Sequence, residues 1–112
     1  MFTAVTARSQ TVSNTISETE IVLINLNIIG AVTNGNVSAT LTGNTHTTLN
    51  GNLIVGSPMT LDPNFYNAWQ TSTANAYATG LMQTVLDNFA RLGYTISRTS
   101  TDGIHLNWTI SW

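Results

Sequence analysis

The clearest pattern in the chain runs from Ala74 to Leu92. Ala74, Ala78, Leu81, Met82, Val85, Leu86, Phe89 and Leu92 recur at the spacing of one helix face. Asp87 and Arg91 stand four residues apart on the opposite side, an expected ion pair worth about 0.3 kcal/mol. Gly93 follows as a left-handed C-cap. Upstream, Asp62-Pro63 predicts a shorter helix carrying Phe65, Tyr66 and Trp69, with Asp as N-cap and Pro at the first helical position. Ser72 or Thr73 offers a second cap between the short helix and the long one.

The segments after Gly93 change period from helical to alternating. Tyr94, Ile96 and Arg98 share one face of a strand, and Ser100-Thr101-Asp102-Gly103 reads as a turn. Ile104, Leu106, Trp108, Ile110 and Trp112 then alternate with His105, Asn107, Thr109 and Ser111, which predicts a half-buried strand with its apolar face on the long helix. Asn36 to Thr42 reads as a further strand, with Val37, Ala39 and Leu41 on one face. Thr45 to Leu49 is a short strand or loop between the turn signals Gly43-Asn44 and Asn50-Gly51. Leu53-Ile54-Val55 adds a few strand residues before Gly56-Ser57-Pro58.

Two expectations concern the first third. Phe2 to Val12 alternates loosely and suits an edge strand or an extended arm. Ser17 to Glu20 fits a capping box, in which each side chain takes a free backbone N–H at the other's position. Ile21, Ile24, Ile28 and Val32 follow at helical spacing, against a rival strand-like alternation in Ile24 to Ile28. The box and the Asn34-Gly35 stop favour a helix from Glu18 to Thr33. The whole predicts one α+β domain over residues 1–112: an antiparallel sheet of three or more strands with two helices packed on one face, ending in a C-terminal β-hairpin.

Composition alters this picture mainly at the surface. Charged residues are 7 % of the chain, with three Arg, no Lys and five acids, against about 25 % in ordinary soluble domains. The polarity comes instead from 20 Thr, 9 Ser and 13 Asn. Hydroxyls and amides that find partners are far cheaper to bury than charges, and low net charge does little to keep copies apart. Such a surface suits a protein that lives against other protein, or a secreted domain. Three scattered arginines form no patch for phosphate or for an anionic membrane. The start, Met1 to Arg8, lacks the basic and apolar regions of a signal peptide. Ile21 to Val32, broken by Asn25, Asn27 and Gly30, is expected to be too short and too polar to span a bilayer.

No catalytic, metal or cofactor site is readable. There is no cysteine. His46 and His105 lie in different segments, neither at metal-ligand spacing, and His105 falls on the polar side of a predicted strand. Each carboxylate has a local explanation: Glu18 and Glu20 at a helix start, Asp62 as a cap, Asp87 beside Arg91, Asp102 in a turn. A Ser–His–Asp set is defined by geometry; either histidine in a cleft beside a carboxylate would point to one. No small-molecule substrate is implied. The aromatic residues Phe65, Tyr66, Trp69, Trp108 and Trp112 are the interface candidates, since aromatic anchors are enriched where proteins meet. Trp69 and Trp112 lead, one closing an irregular helical turn and the other closing the chain.

Three stretches resemble a known family: Thr6 to Thr11; Tyr66-Asn67-Ala68-Trp69-Gln70; and Val85 to Arg98, closed by Trp108-Thr109-Ile110-Ser111-Trp112. Together they resemble small proteins encoded by cyanophages and related marine phages, which are regarded as virion structural components. The closing Leu-Gly-Tyr…Trp-x-Ile-x-Trp pattern is the most specific, and Gly43 to Pro58 has no counterpart. The resemblance implies helix over Glu18 to Thr33, where similar chains are richer in alanine. It implies a non-enzymatic virion component of capsid, neck, tail or fibre, made in the host cytoplasm, whose partners are copies of itself or other virion proteins. The alternative is an accessory protein that binds a host protein.

Overall fold

The computed structural model describes residues 4–70 and 76–112, with only the backbone course given for residues 4–14. The recap expected at Ser72 or Thr73, and the first stripe position Ala74, lie outside the described residues. The described chain folds as α+β, with helices α1 (Ala4–Thr33), α2 (Pro58–Leu61), α3 (Pro63–Gln70) and α4 (Ala76–Arg91). Strands β1 (Ser38–Leu41), β2 (His46–Leu49), β3 (Asn52–Val55), β4 (Thr95–Thr99) and β5 (Asn107–Ser111) make two sheets. One is three-stranded and antiparallel in the order β1-β5-β4, and the other is the β2-β3 hairpin.

The register explains the layering. Ala39 and Ile96 flank Ile110, while Leu41 and Arg98 flank Trp108, so these six side chains share one face. On that face Leu41, Trp108 and Ile110 are completely buried. α1 and α4 cover it, contributing Leu23, Ile24 and Ile28 from one helix and Leu81, Met82, Val85 and Phe89 from the other. Burying each such side chain contributes about 2 kcal/mol. The opposite face carries Ser38, Thr40, Thr95, Ser97, Thr109 and Ser111, so hydroxyls line the uncovered side.

Both long helices stop in the same way. Tyr94 N–H donates to the Phe89 carbonyl (3.0 Å) and Gly93 N–H to Ala90 (3.1 Å), while Asn36 and Gly35 repeat the pattern on Ala31 and Val32. This is the Schellman arrangement, which needs a left-handed residue; Gly35 and Gly93 supply it with φ of 78° and 95°. The Phe89 and Tyr94 rings pack edge-to-face at 5.8 Å, adding the apolar contact that accompanies such a cap.

Four expectations are corrected. The segment over residues 4–12 continues α1 rather than forming a strand or arm, so Ser17 to Glu20 lies in mid-helix and is no capping box. The capping box forms at Ser57 instead, where the Ser57 and Thr60 side chains exchange bonds with each other's backbone N–H. Asp87 accepts from Gln83 (2.8 Å), and no Asp87–Arg91 ion pair forms among the described residues. β5 begins at Asn107, not Ile104, because Asp102 Oδ1 draws the Ile104 and His105 N–H groups into its own turn. Ile104 is therefore exposed, and so is Val37, just ahead of β1. The Asp62 cap stands, with Oδ1 accepting from Asn64 N–H.

Removed from helix capping, Glu20 enters the core with no exposed surface. Its Oε2 accepts from Ser57 Oγ (2.9 Å) and Trp108 Nε1 (2.9 Å), and its Oε1 from Met59 N–H (2.8 Å). Burial pushes this carboxyl above its ordinary range, and the three hydrogen bonds pull partly against that. A carboxyl whose folded value is raised binds its proton more tightly folded than unfolded. Its ionisation therefore costs stability as pH rises from about 4.5 through the folded value. Glu20→Gln is expected to remove that descending slope in urea-denaturation profiles against pH. Glu20→Ala orphans three donors and leaves a cavity, and is expected to cost about 4 kcal/mol at neutral pH.

Candidate functional site

The five aromatic candidates separate into two groups. Trp108 and Phe65 are enclosed by their own chain, at 0 % and 6 % exposure, so neither presents a ring to a partner. The Trp108 indole N–H donates to Glu20 inside the core. Tyr66 and Trp69 pack edge-to-face at 5.7 Å and are half-buried, with the Arg98 guanidinium 5.9 Å from the Trp69 ring centre. Trp112 is 41 % exposed and rests edge-to-face on Tyr94 at 6.0 Å. Its N–H donates to Val37 at 3.0 Å, which continues the β1-β5 pairing one step. Val37, Tyr94 and Trp112 thus meet where the sheet ends.

A second exposed surface was missed by the sequence reading. α1 buries Ser17, Glu20, Leu23, Ile24 and Ile28, yet its far side carries Val22, Ile29 and Val32 at 41, 60 and 56 % exposure. The stretch Thr15–Thr33 is long and apolar enough to cross a membrane by length and composition, and 28 % of it is buried. The Ile21 to Val32 run, expected to be too short and too polar to span a bilayer, lies within it. The same test is met by core helices of soluble proteins, and Glu20 and Asn27 tie this helix to protein. Asn27 Nδ2 donates to Leu23 and to Thr47 of β2, clamping the small hairpin on α1. Val22 and Ile29 fall off the 21-24-28 line, whereas Val32, expected on that line, is exposed instead.

The histidines part company. His46 is exposed on β2, over a shallow groove of about 360 Å³ that includes Asn27, Gly30 and Asn34. His105 sits with Asp102 at a cleft of about 230 Å³ also lined by Thr42, Thr60, Leu61 and Asn107. Its Nδ1 is 2.7 Å from Asp102 Oδ2. The sequence signal was the three-residue spacing in a glycine-containing turn.

That pair is organised for the loop. Asp102 Oδ1 accepts the Ile104 and His105 N–H groups at 2.9 and 2.8 Å and the Ser100 hydroxyl at 3.3 Å. The His105 ring, and after it the His105 and Ile104 N–H groups, hold the carboxylate below its ordinary range. A general base needs a nucleophile or substrate proton in reach of its free nitrogen. Among the described residues no hydroxyl bonds the His105 ring, and no group of three potential metal ligands occurs. No protein-family model, curated protein or solved structure matches this chain.

A carboxyl lowered in the folded state supports folding above its unfolded value and loses that support as pH falls through the folded one. Asp102→Asn is therefore expected to speed amide hydrogen exchange at Ile104 and His105 at neutral pH, and to leave exchange at Trp108 and Ile110 unchanged. Equal exchange in both proteins at Ile104 and His105 would refute this account of the loop.

Proposed function

We propose that the protein is a non-enzymatic structural component of a virion, acting by assembly with other protein chains. The observation that carries this reading is the pairing of large exposed apolar side chains with an almost uncharged surface. Ile29, Val37 and Leu92 are each at least 60 % exposed, in a chain with eight charged residues among 112. Val22, Ile29 and Val32 share the outer side of α1, and contiguous apolar surface marks sites of association. Hydroxyls and amides around it are readily buried once paired. The resemblance to marine-phage virion proteins supplies the context. Tyr66, Trp69 and Trp112 remain its interface aromatics, and the Asp102–His105 cleft is accounted for by the loop it folds.

Mass spectrometry of gradient-purified phage particles tests the reading. The protein is expected in the particle fraction at a constant ratio to the major capsid protein. Its absence from particles, with recovery of one host protein in a pull-down from infected cells, would replace assembly by the accessory role.

A further inference from the structure

We infer that Ser57 and Thr60 form a reversible hydrogen-bond relay, which seats Glu20 in the core with its carboxyl either ionised or neutral and keeps α1, α2 and β5 joined in both states. Glu20, Ser57 and Thr60 are enclosed together, at 0, 1 and 0 % exposure. A carboxylate only accepts hydrogen bonds, whereas a carboxylic acid must also donate one. A site built for one state leaves a buried group unpaired in the other.

The ionised state is met by donors alone. Met59 N–H reaches Oε1, while Ser57 Oγ and Trp108 Nε1 reach Oε2. The neutral state needs one acceptor. Oε1 faces an N–H, and the Trp108 indole only donates, so the proton must sit on Oε2 and point at Ser57 Oγ. That hydroxyl then has to place its own proton elsewhere. Thr60 Oγ1 stands 2.9 Å away, in a contact where either oxygen can donate. Thr60 Oγ1 in turn donates to the Ser57 carbonyl at 3.1 Å. Turning two hydroxyls thus passes the change from Glu20 to a backbone carbonyl, and no heavy atom moves. The helix cap holds both oxygens in place meanwhile, with Ser57 N–H on Thr60 Oγ1 at 2.7 Å and Thr60 N–H on Ser57 Oγ at 3.3 Å.

Charge plays no part in the relay. β1, α2 and β5, packed around Glu20, carry no titratable side chain. Tyr77, Asp87 and Arg91 on α4, His46 on β2 and Glu18 on α1 itself are exposed. Arg98 lies over Trp69. Asp102 and His105, in the cleft that Thr60 helps to line, bond each other. Burial and hydrogen bonds alone act on the Glu20 carboxyl.

Carbon-13 NMR of the glutamate carboxyls follows the titration directly, since Glu18 and Glu20 are the only glutamates in the chain. In Thr60→Val a neutral Glu20 leaves the Ser57 proton without an acceptor, while the ionised form keeps its three donors. The Ser57 N–H loses its acceptor in both forms, so that cost cancels from the midpoint. The expected result is roughly tenfold weaker proton binding at Glu20, a midpoint moved to lower pH. Thr60→Ser keeps the hydroxyl and is expected to titrate as the unaltered protein does. A folded Thr60→Val with an unchanged or raised midpoint overturns the relay, and so does a lowered midpoint shared by Thr60→Ser. A second measurement needs no variant. In the unaltered protein the Trp108 indole N–H is expected to exchange no faster than global unfolding allows on either side of the Glu20 midpoint. Exchange by local opening on one side shows that the junction parts instead of the relay turning, and overturns the inference.

Discussion

The fold turns on one buried carboxylate. Glu20 gathers the Ser57 hydroxyl, the Met59 N–H and the Trp108 indole, groups that are 37, 39 and 88 residues away. Each of those donors would be costly to bury alone. Placed around one carboxylate, they partly offset its desolvation and fix α1, the start of α2 and the centre of β5 against one another. The rest follows from that junction. Trp108 is drawn inward, Leu41 and Arg98 flank it across the sheet, and α4 closes over the same face. An apolar residue at position 20 would relieve the desolvation but would not choose one register of α1 over its neighbours. With apolar side chains on nearly every side of that helix, the hydrogen bonds are what mark its inner face.

This junction also explains what the sequence concealed. Ser17 and Glu20 have the spacing of a capping box, and local chemistry alone favours that reading. Nothing in the neighbouring residues announces that donors from Ser57, Met59 and Trp108 will take the carboxylate instead. The continuation of α1 back to Ala4 was hidden for a related reason, since Thr, Val and Ser are poor helix formers in isolation. Further along the helix, Thr19 and Thr33 bond the carbonyls four residues back. By contrast α4, the Asp62-Pro63 start, the Asn34-Gly35 stop and the alternation from Leu106 to Ile110 were legible. Each depends on spacing and backbone preference within one segment. Ile104 shows the boundary between the two cases. Its place in the alternation is correct, but the Asp102 turn captures its N–H and ends the pattern one pair early.

The candidate site divides along the same line. Aromatic type singled out five residues, but type does not tell a ring that anchors a partner from one that fills the core. Trp108 and Phe65 went to the core because the sheet and α3 needed them there, while Trp112 stayed half out beyond the last paired residue. The Asp102–His105 contact looks like half of a catalytic set when seen as a pair. Seen with its other bonds, it is a turn whose carboxylate is already committed to backbone N–H groups. Geometry of the whole neighbourhood, rather than the presence of His beside Asp, separates a loop brace from an acid–base pair.

A chain with so few charges has little means of keeping its surface in water except hydroxyls and amides. On the uncovered face of the three-stranded sheet that means suffices, since Ser and Thr occupy every outward position of β1, β4 and β5 apart from Asn107. On α1 it does not suffice, because the same helix must supply Leu23, Ile24 and Ile28 to the core and also shows Val22, Ile29 and Val32 to the outside. A helix apolar on one stripe is covered by one body; a helix apolar on a second leaves Val22, Ile29 and Val32 in the open. The domain is too small to wrap around α1 with its own chain. The second stripe is therefore a constraint on what the molecule meets, set by the same 30-residue helix that Glu20 anchors from within.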